Sequence, residues 1–552
     1  MNIMKCIFGS LLVILLFSCA QQHPLEGGPK DTTPPAMVLA KPALLSTNVD
    51  TSIKNIRIFF DKYILLKNLQ QIFISPPLDT VPSFSPLDLA KKNIDIKFSN
   101  PLEKNTTYSI NFGESIQDNT EGNKLPFFKY VFSTGAQLDS IEISGKVIDA
   151  YDRSLDKNII VGLYKVDSAF SDTLIYKQRP YYLTKADKEG RYQITHIKEG
   201  SYFLMAFSGD SGNYIYKPEK GKLAFEPSTI TLKKSDLYQL RLFKEVLPFK
   251  RLIPKQVNAG HIEFPFEGSL EGVHLEVIQK FDRERFLHDS NTSIIHYWYK
   301  PILKSGKINE VTQIYFKLSS QEKMDSLSVI LDKKDLPDFS LKKLPQVSAF
   351  IKPVWFSAET PIYSVDQTKV KVSKVKEDAL QQVTFRLLCP KDDPKKIGLD
   401  FSKNPGSKYN IILEAEAIED IVGNKNPLLK FTESTGEEGD YGHFELELSD
   451  LPDKPFWLQL LDKENKMVEE FYGCENHYVI RYLEPETYRL RILVDENEDK
   501  KWNPGNLLLR RAPEPVYFYE KPVQIRAFWD IRENWAVLVK PSDDKKDSYG
   551  RK

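Results

Sequence analysis

Alternation of apolar and polar residues with a period of two recurs along this 552-residue chain. Ile56-Arg-Ile-Phe-Phe60 alternates toward one buried face. Tyr192 and Ile194 alternate, a turn follows, and Tyr202 and Leu204 alternate again, which predicts a hairpin with one aromatic face. Ser293-Ile-Ile-His-Tyr-Trp-Tyr299 and Leu327-Ser-Val-Ile-Leu331 predict further strands. Period two turns successive side chains to opposite faces, so these runs read as half-buried strands and not as helices. One run is different. Ile7 to Phe17 is almost unbroken apolar sequence of about eleven residues, the length of a signal-peptide core and too short to span a bilayer.

The chain also repeats itself. Tyr108-Ser-Ile-Asn-Phe, Ile116-Gln-Asp118, Gly122-Asn-Lys-Leu-Pro126 and Ser133-Thr-Gly135 recur in order as Tyr409-Asn-Ile-Ile-Leu, Ile418-Glu-Asp420, Gly423-Asn-Lys-Asn-Pro427 and Ser434-Thr-Gly436. An Asp followed by Gly-Asn-Lys-x-Pro makes a turn between strands, because Gly or Asn supplies positive φ and Pro halts a central strand. Upstream, Phe356, Pro361-Ile362 and Val370-Lys-Val372 take the place of Ile56 to Phe60. A second pair follows. Glu189-Gly-Arg-Tyr192-Gln-Ile194, Gly200-Ser-Tyr202-Phe-Leu204 and Tyr216-Lys-Pro218 align without gaps on Glu475-Asn-His-Tyr478-Val-Ile480, Glu486-Thr-Tyr488-Arg-Leu490 and Trp502-Asn-Pro504.

The expected fold class is therefore all-β, a multidomain array of β-sandwiches with a two-domain module duplicated. The first member of each pair resembles the bacterial Ig-like domain of S-layer type. The second resembles the carboxypeptidase regulatory-like, transthyretin-like sandwich, opened by Ile143-Ser-Gly-Lys-Val147 and turned at Asp187-Lys-Glu-Gly-Arg-Tyr192 and Lys198-Glu-Gly-Ser-Tyr202. In the C-terminal copy Asn476 and Glu486 replace the turn glycines. The resemblance covers about two thirds of the mature chain at the level of fold. The expected division is a signal at 1–18, a tether at 19–36, Ig-like domains at 37–137 and 346–437, transthyretin-like sandwiches at 138–235 and 438–540, a β-rich middle domain at 236–345 and a charged tail at 541–552.

The N-terminus gives a location. A positively charged start, the apolar run and Leu16-Phe17-Ser18-Cys19 resemble the bacterial lipobox, in which Cys19 is acylated and becomes the first mature residue. Phe17 departs from the small or β-branched residue preferred there. Several acyl chains on one Cys give stable anchoring. Ala20 to Pro35 is polar and rich in Gly and Pro, a tether, and Gly27 to Pro35 resembles the lead into an Ig-like domain in Bacteroidetes lipoproteins. Ala20, in place of Asp, argues by analogy against inner-membrane retention. These features imply a lipid-anchored outer-membrane protein, with the periplasmic face expected and the cell surface as the alternative.

Charge and cysteines narrow the functions. Lys+Arg and Asp+Glu both number 76, so no basic field for nucleic acid exists. Of four Cys, only Cys389 and Cys474 remain once the signal and the lipidated Cys are set aside, too few for a disulfide framework. Asp495, Asn497 and Asp499 place oxygens at alternate positions like the start of a calcium loop, but Lys500 stands where Gly would turn it and Asn506 where a bidentate Glu would close it. A polar hairpin loop that folds without calcium is expected. Gly209-Asp210-Ser211-Gly212 reads like a protease nucleophile segment, yet lacks its His context and aligns with a hairpin loop. His23, His196, His261, His274, His288, His296, His443 and His477 are scattered, with no pair at metal-ligand spacing. Asp31-Thr32, Asp79-Thr80, Asp139-Ser140, Asp167-Ser168, Asp172-Thr173 and Asp325-Ser326 resemble the O-glycosylation sequon of the Bacteroidetes envelope. The expectation is a non-enzymatic envelope protein with spacer or interaction modules, no cofactor, and an envelope protein or glycan as partner. The alternative is a glycan-binding lipoprotein that stacks sugars on Trp298, Tyr299 or Trp502.

Overall fold

The computed structural model describes residues 30–209, 214–289, 292–304, 307–308, 313–320, 323–345, 351–376 and 379–538. The protein is all-β and multidomain, a set of sandwich-like paired sheets with short 3-10 turns. Two compact units form, one of Met1–Val147, Asp156–Lys217 and Ser228–Leu240, the other of Ile148–Leu155, Pro218–Pro227 and Arg241–Lys552.

In the first unit, Met37–Lys41, Asn55–Leu66, Lys91–Lys97 and Ser83–Ser85 lie side by side in that order, and Ile116–Asp118 pairs with the far end of Asn55–Leu66. A second sheet runs Phe73–Ser75, Thr107–Asn111, Lys129–Ser133. Both sheets contribute to one core. Ile56, Ile58 and Phe60 enter it from one side, and Tyr108, Ile110 and Phe132 from the other. The alternation at 56–60 thus becomes a buried face.

The second unit repeats this plan. Leu341–Lys343, Val354–Ala358, Lys396–Asp400 and Arg386–Leu388 form one sheet, and Ala379–Gln382, Val370–Lys376, Lys408–Leu413 and Leu429–Ser434 the other. Here the counterpart of Asn55–Leu66 is broken into Val354–Ala358 and Ile362–Val365, with Pro361 in the gap. Proline has no N–H to give the ladder. One expected correspondence shifts. Phe356 lies where Ile56 to Phe60 was expected to match, but Val370–Lys376 pairs beside Lys408–Leu413 and so corresponds to Phe73–Ser75.

The copies share their polar contacts as well. Tyr108 accepts the Glu103 amide on its hydroxyl at 2.9 Å, and Tyr409 accepts the Asn404 amide at 2.6 Å. Thr134 Oγ1 donates to the Glu103 carbonyl and Thr435 Oγ1 to the Asn404 carbonyl, each at 2.6 Å. In both copies a buried tyrosine and a threonine close the loop that leads into the tyrosine's strand.

The other repeated sandwich has the same regularity. Arg191–Ile197, Ile141–Asp149 and Asp236–Leu242 form one sheet of the first copy. His477–Leu483, Gly442–Ser449 and Asp530–Ala536 form its counterpart, the last two strands parallel. Tyr202 donates its hydroxyl proton to the Lys198 carbonyl at 2.8 Å, and Tyr488 donates to the Glu484 carbonyl at 3.0 Å.

Between the modules, His261–Glu267, Ile294–Tyr299 and Glu284–Asp289 share one sheet, while Val273–Val277, Gln313–Ser320 and Lys323–Ile330 form another. Ile262, Phe264, Tyr297, Tyr299, Ile314 and Phe316 fill the core they share. Alternation then sends His261, Glu263, His296 and Trp298 to the opposite face of the first sheet.

Candidate functional site

Strand pairing brings together what the linear sequence keeps apart. His261 faces Trp298 and Glu263 faces His296 across two antiparallel strands. His261 Nε2 lies 2.9 Å from His296 Nδ1, and Glu263 Oε1 lies 3.9 Å from that same Nδ1. The three residues hold their ligand atoms within 4.8 Å of one another. Trp298 stacks flat on the His261 ring, 3.7 Å between centroids and 5° between planes. Behind it, Trp298 packs on Ile421 and Val422, which belong to the second copy of the repeated turn.

Burial and a nearby cation both disfavour charge on the pair. Burial, then His296 and Lys395, push His261 down to about 3. His296 is lowered by burial and by Lys395, while Glu263 and Asp289 oppose the shift. The Lys395 ammonium lies 5.2 Å from the Trp298 ring centroid, and burial lowers its own pKa. The scattered-histidine expectation is thus corrected for His261 and His296. Thirty-five residues separate them, so no local spacing reveals the pair. The signal that was present is His-x-Glu at 261–263 and His-x-Trp at 296–298, each on one face of a strand.

The glycan-stacking candidates sit differently from their expectation. Trp298 and Tyr299 are each 3% exposed. Tyr299 lies in the core of the middle sandwich and Trp298 is covered on both ring faces, so neither offers the exposed surface that stacking on a sugar requires. Trp502 is half-buried, with Tyr151 at 4.8 Å and its Nε1 donating to the Glu514 carbonyl at 3.1 Å.

The Asp495 loop is closed by its own backbone. Asp495 is fully buried. Its Oδ1 accepts the Asp499 amide at 3.1 Å, and its Oδ2 accepts the Lys500 amide at 2.9 Å and the Tyr472 hydroxyl at 2.8 Å. Asp499 accepts the Lys501 amide at 2.8 Å and the Asn503 side-chain amide at 3.0 Å, while Asn497 donates to it at 3.1 Å. Lys500 takes the left-handed conformation, φ 60°, at the position where Gly was missed. Sequence reasoning overlooked Glu514, a buried carboxylate whose pKa is raised by burial and which accepts the amides of Glu496 and Asn503. Because amides already occupy these oxygens, chelator is expected to leave the melting of the C-terminal segment unchanged. Trp502→Ala, which removes the ring packed on Tyr151, is expected to lower it by several degrees. A large rise in melting temperature with millimolar calcium, abolished by Asp495→Ala, would overturn this. The protease-like Ser211 lies outside the described residues, and so does Cys19.

The repeated turns do a structural job that the motif alone did not reveal. Asp118 Oδ1 accepts the amides of Thr120, Glu121 and Gly122, and Asp420 Oδ1 accepts those of Gly423 and Asn424. The next Asn reaches backward in the chain. Asn123 Nδ2 donates to the Asp31 carbonyl at 2.8 Å, and Asn424 Nδ2 donates to the Pro337 carbonyl at 2.6 Å. Each turn therefore grips the segment that enters its own domain. Lys62 adds to the first grip by pairing with Asp31 at 2.5 Å and donating to the Thr33 carbonyl at 2.6 Å.

Among the described residues, no helix is long and apolar enough to cross a membrane. A search of curated protein sequences finds no match to the chain. Among solved structures, it is similar to the surface layer protein SbsC, domains 1-6, at 10% identity over 89% of this chain and 67% of that one, with a TM-score of 0.16. It is similar to BcpA, the major pilin subunit of Bacillus cereus, at 10% identity over 72% and 98%, with a TM-score of 0.13. A biofilm-associated protein, BSP domain, matches at 9% identity over 94% and 99%, also with a TM-score of 0.13. At such scores these likenesses carry no argument about function. The sharper likeness is local: residues 31–134 match the model of the bacterial Ig-like domain family.

Proposed function

We propose that this is a non-enzymatic cell-envelope protein, held in the outer membrane by lipid on Cys19 and facing the periplasm, whose sandwich domains serve as spacers or interaction modules. The sandwiches that follow each Ig-like segment, at 138–235 and 438–540, are read as transthyretin-like. One observation carries the reading: in both Ig-like copies a side chain of the Asp-Gly-Asn-Lys turn fastens the segment that enters the domain. Such a fastening fixes how a chain enters a sandwich, which suits an array that sets distance and orientation. The N-terminal charge, apolar run and Cys19 support the anchor. The middle segment is a packed sandwich, and among the described residues its group of potential metal ligands, at His261, is largely covered.

Cys19→Ala tests the anchor. The variant is expected to lose fatty-acid label and to leave the membrane fraction. A variant that still carries label and still sediments with membranes would refute it. A panel of esterase, peptidase and glycosidase substrates tests the other half of the reading, which turnover above that of a mock preparation would overturn.

A further inference from the structure

We propose that His261, His296 and Glu263 form a site for a divalent transition metal, zinc being the best fit, which ties two neighbouring strands of the middle sandwich together. The donor set suits such an ion, since imidazole nitrogen and carboxylate oxygen are its usual protein ligands. Its geometry is nearly in place. Two nitrogens on one tetrahedral zinc, each bonded at about 2.0–2.1 Å, lie roughly 3.3 Å apart, and here they are 2.9 Å apart. An opening of a few tenths of an ångström admits the ion. Glu263 Oε1, at 3.9 Å from His296 Nδ1, needs a small side-chain adjustment to join them.

The surroundings prepare the ligands. Burial and Lys395 shift both imidazoles toward the neutral form that binds metal, and His261 is only 5% exposed. Stacking on Trp298 fixes the plane of the His261 ring. One proton now lies between the two rings. On metal binding it moves to the far nitrogen of its own imidazole, a change of tautomer that releases no proton and alters no charge. Three protein ligands leave a fourth position for water or for a donor from outside the chain. Lys395 is the opposing feature. Its ammonium acts on both imidazoles, so it weakens the site and makes binding adjustable.

The test uses the untagged full mature chain carrying Cys389→Ser and Cys474→Ser, since exposed thiols would bind zinc elsewhere. Titration with zinc alone, followed by calorimetry, is expected to show one equivalent bound. Cobalt alone should give the visible absorption of an ion bound to nitrogen and oxygen. Glu263→Gln, at a half-buried position where folding is least at risk, is expected to weaken zinc binding by at least about tenfold. His296→Asn should do the same or more, and Lys395→Met should tighten binding. Zinc should also raise the melting temperature of the parent and not that of Glu263→Gln. Absence of a bound equivalent at 100-fold excess over a micromolar affinity would overturn the proposal. So would stoichiometric binding that both Glu263→Gln and His296→Asn leave intact, which assigns the metal to other residues.

Discussion

Replacing Tyr409 by alanine is expected to unfold the sandwich that holds it, the repeat of the N-terminal one, at temperatures where the rest of the chain survives. Tyr409 has no exposed surface. Its ring packs 5.2 Å from Phe401, and its hydroxyl accepts the Asn404 amide. Truncating a buried aromatic to alanine costs about 3–5 kcal/mol, a large part of what a domain of this size possesses. Tyr409→Phe keeps the ring and loses only the hydrogen bond, about 1 kcal/mol, or roughly 4–8 °C in the melting of that segment. Tyr108 performs the same task in the first copy, so Tyr108→Ala and Tyr108→Phe should show the same ordering there. Calorimetry resolves this because the variants should move different transitions of one multidomain profile. Equal losses for Phe and Ala would show that the hydroxyl, and not ring burial, dominates.

Gly145→Ala is expected to be comparably damaging to the first of the other sandwiches, for a different reason. A Cβ at position 145 would collide with the Tyr238 carbonyl, a backbone atom of the adjoining strand Asp236–Leu242, which has no side-chain freedom to retreat. Tyr192, opposite Gly145, sends its hydroxyl over the same gap to that carbonyl at 3.0 Å. The C-terminal copy solves the position another way. Leu446 stands opposite Tyr478, and the buried Tyr478 hydroxyl has no hydrogen-bond partner among the described residues. The glycine is thus specific to the first copy, where the strands close over an empty position. Limited proteolysis should show early cleavage within 141–240 for Gly145→Ala while the sandwiches that hold Tyr108 and Tyr409 stay resistant. A variant as resistant as the parent would show that the strand shifts at little cost.

What could be read from the sequence follows from how local each feature is. Ile56, Ile58 and Phe60, and again Tyr488, Leu490 and Ile492, lie two apart on one strand, so alternation alone placed them in cores. The tyrosine and turn motifs were legible because the chain carries each twice in the same order. The His261 cluster was not, because its members belong to strands that two others, Val273–Val277 and Glu284–Asp289, separate in sequence. Their meeting depends on register, and a shift of one residue would have turned His296 into the core. Burial of Trp298 was hidden for a related reason: Ile421 and Val422, which cover it, come from the next sandwich along. Lys500 was misleading in another way, since a lysine there takes the left-handed turn that glycine was expected to supply.

The grip of Asn123 and Lys62 on Asp31 and Thr33 has a consequence for height above a membrane. If Cys19 is the lipid-bearing residue, the first gripped residue after it is Asp31, ahead of the first strand, Met37–Lys41. About twelve residues then separate lipid from protein. Fully drawn out they reach about 40 Å at most, and as a Gly-rich coil roughly 20 Å on average. Releasing the grip with Asn123→Ala and Lys62→Ala would add about six residues and let the first domain stand up to ~20 Å farther from the bilayer. With the lipid on Cys19, the turn in a sandwich loop would thereby limit how far the first domain can stand from the bilayer.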